Sequence, residues 1–349
     1  MNNNYDIFKI LNPSENTMLS KLSSNDKNYI IEILDKYYLE LRDSIGNYIN
    51  DTAGFEFEFE DANKYKIIRS MTKYQFNFRD YKIYEDDSIP DGYEISTPIL
   101  NVSSINWNRI KNLCYIIKKN GFIGNNCGAH IHMGAQVLNN NIISLTNFTT
   151  LIIAYENILA RFFYGNFINE RLAMHTYAQP VASKWYDEYR RFKSPSFKTF
   201  TPLNLINILS GYYEKNQFIN LSNISHLGED YVNNTFEYRA PNGTLDPIIW
   251  QNNLNLIIKL MKYCNNNFFN LKLIENRIQK NISYFGDYKH YREIDLESAL
   301  ELCDLIFYKN IDKVYFLRQY LKDKNVTDSK FLVLSKKFTE TPYNDNDIV

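Results

Sequence analysis

Four short segments of the 349-residue sequence alternate apolar and polar side chains, and this alternation constrains the fold more than any other feature. In the first, GFEFEFE at residues 54–60, three phenylalanines alternate with Glu56, Glu58 and Glu60. Successive residues of a β-strand point to opposite faces of the sheet. The segment therefore predicts a strand with an apolar face that packs on a core and a second face that carries a row of carboxylates.

The other three segments repeat this design. GYEISTP carries Glu94, CGAHIHMG carries His130 and His132, and TFEYRAP carries Glu237 and Arg239, each opposite apolar neighbours. If one sheet contains all four strands, its polar face collects acids, imidazoles and a guanidinium: Glu56, Glu58, Glu94, His130, His132, Glu237 and Arg239. Such groups bind metal ions and phosphate and rarely build cores.

Each segment alone also has an ordinary explanation. A glutamate row is commonly just a solvated strand, because carboxylates about 7 Å apart repel by only about 0.6 kcal/mol in water, and by about 2 kcal/mol at an effective dielectric of 20. A lone histidine is usually structural, and Glu237 with Arg239 could form a surface ion pair. The coincidence of four such strands favours a polyvalent metal site. Carboxylates with few histidines favour Mg²⁺ or Mn²⁺ over zinc, and an arginine beside them indicates phosphoryl transfer from a metal-bound nucleotide.

The rest of the chain favours an α+β fold with a largely antiparallel sheet, since the strands are grouped between helices without a βαβ alternation. Apolar periodicity predicts helices near 25–48, with Asp26 as the cap, and near 104–119 and 144–164. Asp246 as N-cap and Pro247 as first residue predict a helix that extends to about 264. The basic, aromatic segment 183–200 is interpreted as a loop or lid, and residues 265–349 as mostly helical.

Composition limits the partners and the compartment. Lysine plus arginine (39) nearly balance aspartate plus glutamate (40), so no basic surface for nucleic acid is expected. The four cysteines are scattered, which suits a reducing compartment, and the N-terminus lacks the pattern of a signal peptide. The most apolar stretch, TLIIAYENILARFFYG, contains Glu156 and Arg161 and is expected to be too short to cross a bilayer. These features predict a soluble, cytoplasmic protein without a membrane partner.

The segments that carry these residues resemble, in their order, those of the amidoligases. These are carboxylate–amine ligases related to glutamine synthetase and glutamate–cysteine ligase. The resemblance covers residues from about 50 to 265 and rests on six motifs: GFEFEFE, DDSIPDGYEISTPIL, CGAHIHMG, NERLAMHTYAQP, FINLSNI and TFEYRAPNGTLDP. It predicts a catalytic domain at 51–265. Outside the resemblance, the helical patterns of the chain predict a helical extension at 1–50 and a helical region at 266–349 that packs on the catalytic domain.

The resemblance implies a glutamine-synthetase-like curved antiparallel sheet whose concave face holds ATP and divalent metals. It also implies the reaction, in which the γ-phosphate of ATP passes to a substrate carboxylate and an amine attacks the acyl phosphate to form an amide. Glu56 and Glu58 would ligate two different ions, with Glu94 completing one site. His130 and Glu237 would join Glu56 or Glu58 in the other.

The resemblance also assigns residues to the nucleotide. His132 would face its phosphates, Arg239 would neutralise the transferring phosphoryl group, and Arg171 would hold a phosphate or the carboxylate substrate. With Glu58, the two arginines form the expected catalytic set. Asp87 and Ser88 stand where the family usually has an Asp-Gly-Ser type of turn, so the missing glycine leaves their role open. The basic segment at 184–200 is either a lid over ATP or a solvated loop.

Two other functions remain open from the sequence. His130, His132 and a glutamate could form the facial triad of a non-haem iron or manganese oxygenase. The chain could also be an inactive binding protein that keeps the ligase fold. The carboxylate and amine substrates of the ligase are expected to be small molecules or peptides.

Overall fold

A computed structural model describes most of the chain, in eleven stretches. The described residues are 23–35, 39–42, 51–89, 91–124, 126–139, 141–164, 174–192, 201–211, 215–224, 234–286 and 293–321.

The strands differ in length and form one sheet in which every pair of neighbouring strands is antiparallel. The strands are β1 (Thr52–Glu60), β2 (Lys82–Asp86), β3 (Gly92–Ser96), β4 (Leu100–Asn101), β5 (Ala129–Gly134), β6 (Ile219–Asn220) and β7 (Thr235–Tyr238). Their order is β2-β3-β1-β5-β7-β6, with β4 paired to the beginning of β1. The four alternating segments are therefore neighbours in the order β3-β1-β5-β7, as one sheet requires. The α+β class with an antiparallel sheet is confirmed.

Helices cover the apolar face of this sheet and extend away from it. They are α1 (Ser24–Asp35), α2 (Lys64–Lys73), α3 (Ser104–Asn120), α4 (Ile142–Tyr164), α5 (Met174–Tyr177), α6 (Ala182–Phe192), α7 (Pro202–Ser210), α8 (Pro247–Cys264), α9 (Leu271–Asn281), α10 (Glu293–Ile306) and α11 (Asn310–Leu321). The predicted start of α8 is confirmed, because Asp246 accepts a hydrogen bond from the amide of Ile248 and Pro247 is the first helical residue.

Phenylalanines of β1 anchor the sheet to the helices. The ring of Phe57 lies 4.3 Å from that of Trp250 in α8. Phe55 contacts Trp250 at 5.5 Å and Trp107 of α3 at 5.8 Å. Each phenylalanine is at most 3% exposed, and burial of such a side chain is worth about 2–3 kcal/mol. This packing fixes which side of β1 faces the core, so it also fixes where the glutamates point.

Helix α4 lies at the centre of the helical layer. It is long and apolar enough over Ile142–Phe163 to cross a membrane, by length and composition alone, so the expectation that this stretch is too short was wrong. In the structure, α4 packs against α6, α8, α9, α10 and α11. Within its most apolar stretch of 18 residues, 72% is buried inside the protein. The core of the protein therefore accounts for its apolar side chains.

Two sequence expectations about helices need correction. The helix predicted at 25–48 is described from Ser24 to Asp35, and residues 39–42 are not helical. Ser23, rather than Asp26, accepts the capping hydrogen bond, which comes from the amide of Asp26.

The segment 183–200, expected to be a loop or lid, is the helix α6 as far as Phe192. Its buried Trp185 and Tyr189 are spaced four residues apart, a helical interval hidden among exposed charges. The rest of the segment lies outside the described residues.

Candidate metal centre

Strand register brings the polar residues of the four segments together on one sheet face, which we call the carboxylate face. It is defined by Glu56, Glu58, Glu94, His130, His132 and Glu237. Glu58 of β1 pairs with Glu94 of β3, and Glu56 pairs with His130 of β5. On β7, Glu237 pairs with His132. Paired residues on neighbouring strands are about 5 Å apart, so side chains from different strands meet directly.

Glu56 is at the centre of this face, between the two histidines. Its Oε2 lies 2.7 Å from Nδ1 of His130, and its Oε1 lies 2.9 Å from Nε2 of His132. The other ring nitrogen of His130, Nε2, is 3.1 Å from Oε1 of Glu58. Each carboxylate oxygen of Glu56 is therefore in contact with the imidazole of a different histidine.

These contacts shift the ionisation of all three groups. Burial acts to raise the pKa of Glu56, but its hydrogen bonds to His130 and His132 outweigh burial, so the pKa is well below the usual value. Burial acts to lower the pKa of both histidines, but Glu58 and Glu56 outweigh it at His130, and Glu56 does so at His132. Both pKa values are therefore raised. Without a metal ion, imidazolium protons supply the positive charge that these buried carboxylates require.

The β3 side of the face holds a carboxyl group with the opposite shift. Burial, followed by the charge of Glu56, raises the pKa of Glu94 from 4.5 to about 7. The hydroxyl of Ser96 donates to Oε1 of Glu94 at 2.6 Å. Neighbouring Glu58 is only 6% exposed and accepts a hydrogen bond from the backbone amide of Gly128. This part of the face has more negative charge than its neighbours neutralise.

Glu237 on β7 is held from two sides. Its Oε1 is 2.6 Å from Nη1 of Arg239, and its Oε2 accepts a 2.6 Å hydrogen bond from Nδ2 of Asn220 on β6. Nε of Arg239 donates to the backbone oxygen of Tyr177 at 3.1 Å. Arg239 is therefore anchored at two points and retains further N–H donors for a ligand.

The donor atoms on this face are close enough to share metal ions. Among the described residues, three groups each bring ligand atoms within 4.8 Å of one another: Glu56, His132 and Glu237; Glu56, Glu94 and His130; and Glu58, Asp86 and Glu94. Five of these seven side chains are carboxylates, which suits a hard divalent cation such as Mg²⁺ or Mn²⁺. Glu56 and Glu94 each belong to two groups.

A pocket of about 400 Å³ opens beside Glu56 and His132. The ends of four strands form its wall, and its polar lining is mostly neutral hydroxyl and amide groups: Thr52, Ser96, Thr97, Gln136, Asn223, Asn234 and Thr235. Gly54, opposite His132 in the register, leaves part of its floor open. A molecule in this pocket would contact the carboxylate face directly.

Comparison with known families gives this geometry a context. The model of the family described as "Putative amidoligase enzyme" matches residues 63–261, more than half of the chain.

The chain belongs to this amidoligase family.

Family membership supports a ligase function for this protein. No curated protein matches its sequence. The matched range contains Glu94, both histidines, Glu237 and Arg239, whereas Glu56 and Glu58 lie just before it on β1. Register contacts, rather than the family match, therefore connect the β1 glutamates to the rest of the face.

The sequence predicts seven residues on the polar face of the four strands. Six of them lie in the three candidate metal-binding groups, and the seventh, Arg239, donates a hydrogen bond to Glu237. The grouping differs in detail from the expectation, because His132, assigned to nucleotide phosphates, also lies within a metal-capable group with Glu56 and Glu237. Arg171 lies outside the described residues. Glu60, on the same side of β1, belongs to none of the three groups.

Sequence reasoning missed Asp86, which ends β2 and groups with Glu58 and Glu94. Its Oδ1 accepts hydrogen bonds from the amide and the hydroxyl of Ser88. The family resemblance points instead to Asp87, which is exposed at the turn. The alternation of Lys82, Tyr84 and Asp86 along β2 was the available signal, since it places Asp86 on the same side as Glu94.

The geometry gives little support to the oxygenase alternative. A facial triad requires both histidines and one carboxylate around a single ion. Each of the three groups found in the described part of the chain contains at most one histidine. The two imidazoles instead lie on different oxygens of Glu56.

Proposed function

We propose that this protein is an ATP-dependent carboxylate–amine ligase that uses Mg²⁺ or Mn²⁺ on the carboxylate face. The observation that carries the proposal is the convergence of three cation-ligand groups on Glu56 and Glu94, in a chain of the amidoligase family. A face that only needed to be soluble would not require buried carboxylates such as Glu58 and Glu237, which cost free energy without a cation.

The proposed reaction joins a carboxylate to an amine. A carboxylate oxygen of the first substrate attacks the γ-phosphorus of ATP, the bond to the bridging oxygen breaks, and ADP leaves. The amine nitrogen of the second substrate then attacks the acyl carbon, the bond from that carbon to the phosphate oxygen breaks, and inorganic phosphate leaves with that oxygen. The amine loses its proton, so the products are an amide, ADP, phosphate and a proton.

The residues of the carboxylate face fit this chemistry. Glu56, Glu58, Glu94, His130 and Glu237 would hold the ions, with Asp86 as an additional ligand. Bound divalent cations would supply positive charge next to the phosphates and the substrate carboxylate, where anions crowd together. Arg239, fixed by Glu237 and Tyr177, has further N–H groups that can hydrogen-bond the transferring phosphoryl oxygens.

We place the nucleotide in the pocket beside His132. The pocket adjoins the group formed by Glu56, His132 and Glu237, so phosphates there would be next to bound cations. Its hydroxyl and amide groups suit the sugar and base, which are polar but uncharged. In this arrangement His132 hydrogen-bonds a phosphate oxygen, as the family resemblance implies. The carboxylate and amine substrates are small molecules or peptides.

An assay of ADP and phosphate release tests the proposal. Purified protein is incubated with ATP, Mg²⁺ and pooled amino acids and short peptides, and products are read by mass spectrometry as paired compounds joined with loss of water. We expect release that depends on Mg²⁺ and on the pool, and that is lost in Glu58→Gln. Nucleotide binding without turnover on any pool would instead favour an inactive binding protein, and no nucleotide binding would contradict both.

A further inference from the structure

We propose that Asn220 is a positioning residue that orients the Glu237 carboxylate for metal binding. The inference rests on the proposed function, because it takes Glu237 as a metal ligand. Asn220 lies on β6 directly opposite Glu237 on β7, and only 3% of it is exposed. Its Nδ2 donates to Oε2 of Glu237 at 2.6 Å.

The amide of Asn220 is itself held in one orientation. Its Oδ1 accepts a hydrogen bond from the backbone amide of Ser222 at 2.9 Å, which leaves Nδ2 directed at Glu237. The carbonyl and amino ends of the side chain therefore have different fixed partners. A flipped amide would place two oxygens against each other and lose both hydrogen bonds.

The neutrality of the Asn220 side chain matters as much as its position. A neutral amide fixes one carboxylate oxygen without cancelling its negative charge, whereas Arg239 on the other oxygen brings a full positive charge. A carboxylate has about four acceptor positions on its two oxygens. Asn220 and Arg239 use one each, so Glu237 keeps acceptor positions for a cation shared with Glu56.

Asn220 also connects Glu237 to the wall of the pocket. The turn that it closes with Ser222 continues into Asn223, which lines the pocket beside His132. A ligand that contacts Asn223 therefore touches the same short segment that holds the carboxylate. Outer-shell partners of this kind typically contribute about 10- to 100-fold to metal affinity.

Calorimetric titration with Mn²⁺ tests this role, and Asn220→Asp is the main variant. Aspartate keeps the size of the side chain and the acceptor for Ser222, but removes the donor and places a second negative charge against Glu237. We expect Mn²⁺ to bind about 10- to 100-fold more weakly than to the wild-type protein. Asn220→Ser adds no charge, so its Mn²⁺ affinity should lie between those of the wild-type protein and Asn220→Asp.

Asn204→Asp is the matched control. It makes the same change on the exposed first turn of α7, where the side-chain oxygen can still accept from Thr201. Its Mn²⁺ affinity should equal that of the wild-type protein. Melting temperatures are measured alongside, because a purely structural role of Asn220 would lower them without changing the affinity of the folded protein.

The outcomes separate this inference from the proposed function. Wild-type protein that binds Mn²⁺, with Asn220→Asp and Asn220→Ser both within about threefold of it, would overturn the role of Asn220 alone. If Asn220→Asp does not fold, Asn220→Ser decides in the same way. Wild-type protein that does not bind Mn²⁺ would overturn the metal centre, and the role of Asn220 with it.

Discussion

Glu56 and His130 are paired across two neighbouring strands, and their side chains meet at 2.7 Å on the carboxylate face. The charge of Glu58 and this contact with Glu56 raise the pKa of His130 against the effect of burial. The same contact contributes to the lowered pKa of Glu56. A proton on the imidazole therefore serves in the free protein as the positive charge for a buried carboxylate. A divalent cation that binds Glu56 must compete with that proton.

Replacement of Glu56 tests whether this residue is the shared ligand. Glu56→Gln removes one carboxylate from two of the three candidate groups. We expect Mn²⁺ affinity to fall by more than about 100-fold, beyond the range typical of outer-shell changes. Glu60→Gln makes the same change on the same side of β1 but outside those groups, so it should leave the affinity unchanged. Equal affinities for both variants would exclude Glu56 as a ligand.

The raised pKa of Glu94 predicts how stability depends on pH in the metal-free protein. Because the folded-state pKa is about 7 and the usual value is 4.5, the folded protein binds the extra proton between these values, and stability falls as pH rises through that window. The raised pKa values of His130 and His132 act in the same direction, since their contribution is complete below the unfolded pKa and is lost as pH rises through the folded pKa.

Urea unfolding in EDTA from pH 5 to pH 8 measures this effect. We expect Glu94 to contribute a loss of about 2 kcal/mol over this range, allowing for partial screening by solvent. Glu94→Gln resembles the protonated side chain and should flatten the curve by that amount. Saturating Mn²⁺ should reverse the trend, because metal binding favours the ionised carboxylate. A wild-type curve identical to that of Glu94→Gln would contradict the assignment.

The floor of the pocket offers a test of the nucleotide site. A Cβ added at Gly54 would meet only Cβ of His132, at 3.7 Å, which is an ordinary contact, so the strand can accept a side chain there. Gly54→Val would project into the pocket. We expect ATP to bind at least about 10-fold more weakly, with a smaller effect for Gly54→Ala and unchanged Mn²⁺ affinity for both. If Gly54→Val binds ATP as tightly as the wild-type protein, the nucleotide does not bind in this pocket.

Glu156 tests the packing of the helical layer, away from the carboxylate face. This α4 carboxylate is 1% exposed and accepts hydrogen bonds from the amides of Val181 and Ala182 at 2.6 and 2.9 Å, at the beginning of α6. Glu156→Gln weakens these charge-assisted bonds and removes a negative charge from a helix N-terminus. We expect a loss of about 2 kcal/mol in the free energy of unfolding.

Glu188→Gln provides the comparison for Glu156→Gln. Glu188 forms an ion pair with the largely exposed Arg191 on α6 itself, and such surface pairs contribute about 0–1 kcal/mol. Urea unfolding of both variants at pH 7 gives the difference directly. If Glu156→Gln is no less stable than Glu188→Gln, Glu156 does not hold α6 in place.

The alternating pattern predicted which side chains share a face, because the period of a strand is two and the phenylalanines must point to the core. It could not predict which residues face each other across strands. The pairing of Glu56 with His130, and of Glu58 with Glu94, depends on strand order and register, which tertiary packing decides.

Residues on weakly patterned elements escaped prediction for a related reason. Asp86 ends an edge strand that is mostly exposed, and Asn220 lies on a strand of two residues, too short for an alternation to be seen. In α6, the spacing of Trp185 and Tyr189 was obscured by charged neighbours. Their roles become visible only through contacts with distant parts of the chain.

Anomalous diffraction from crystals grown with Mn²⁺ tests the metal centre most directly. We expect at least one anomalous peak on the carboxylate face, about 2–2.5 Å from oxygens of Glu56 and at least one other member of its two groups. The peak should disappear in Glu56→Gln crystals grown under the same conditions. Wild-type crystals with saturating Mn²⁺ and no peak within reach of Glu56, Glu58, Glu94 or Glu237 would contradict a divalent metal centre on this face.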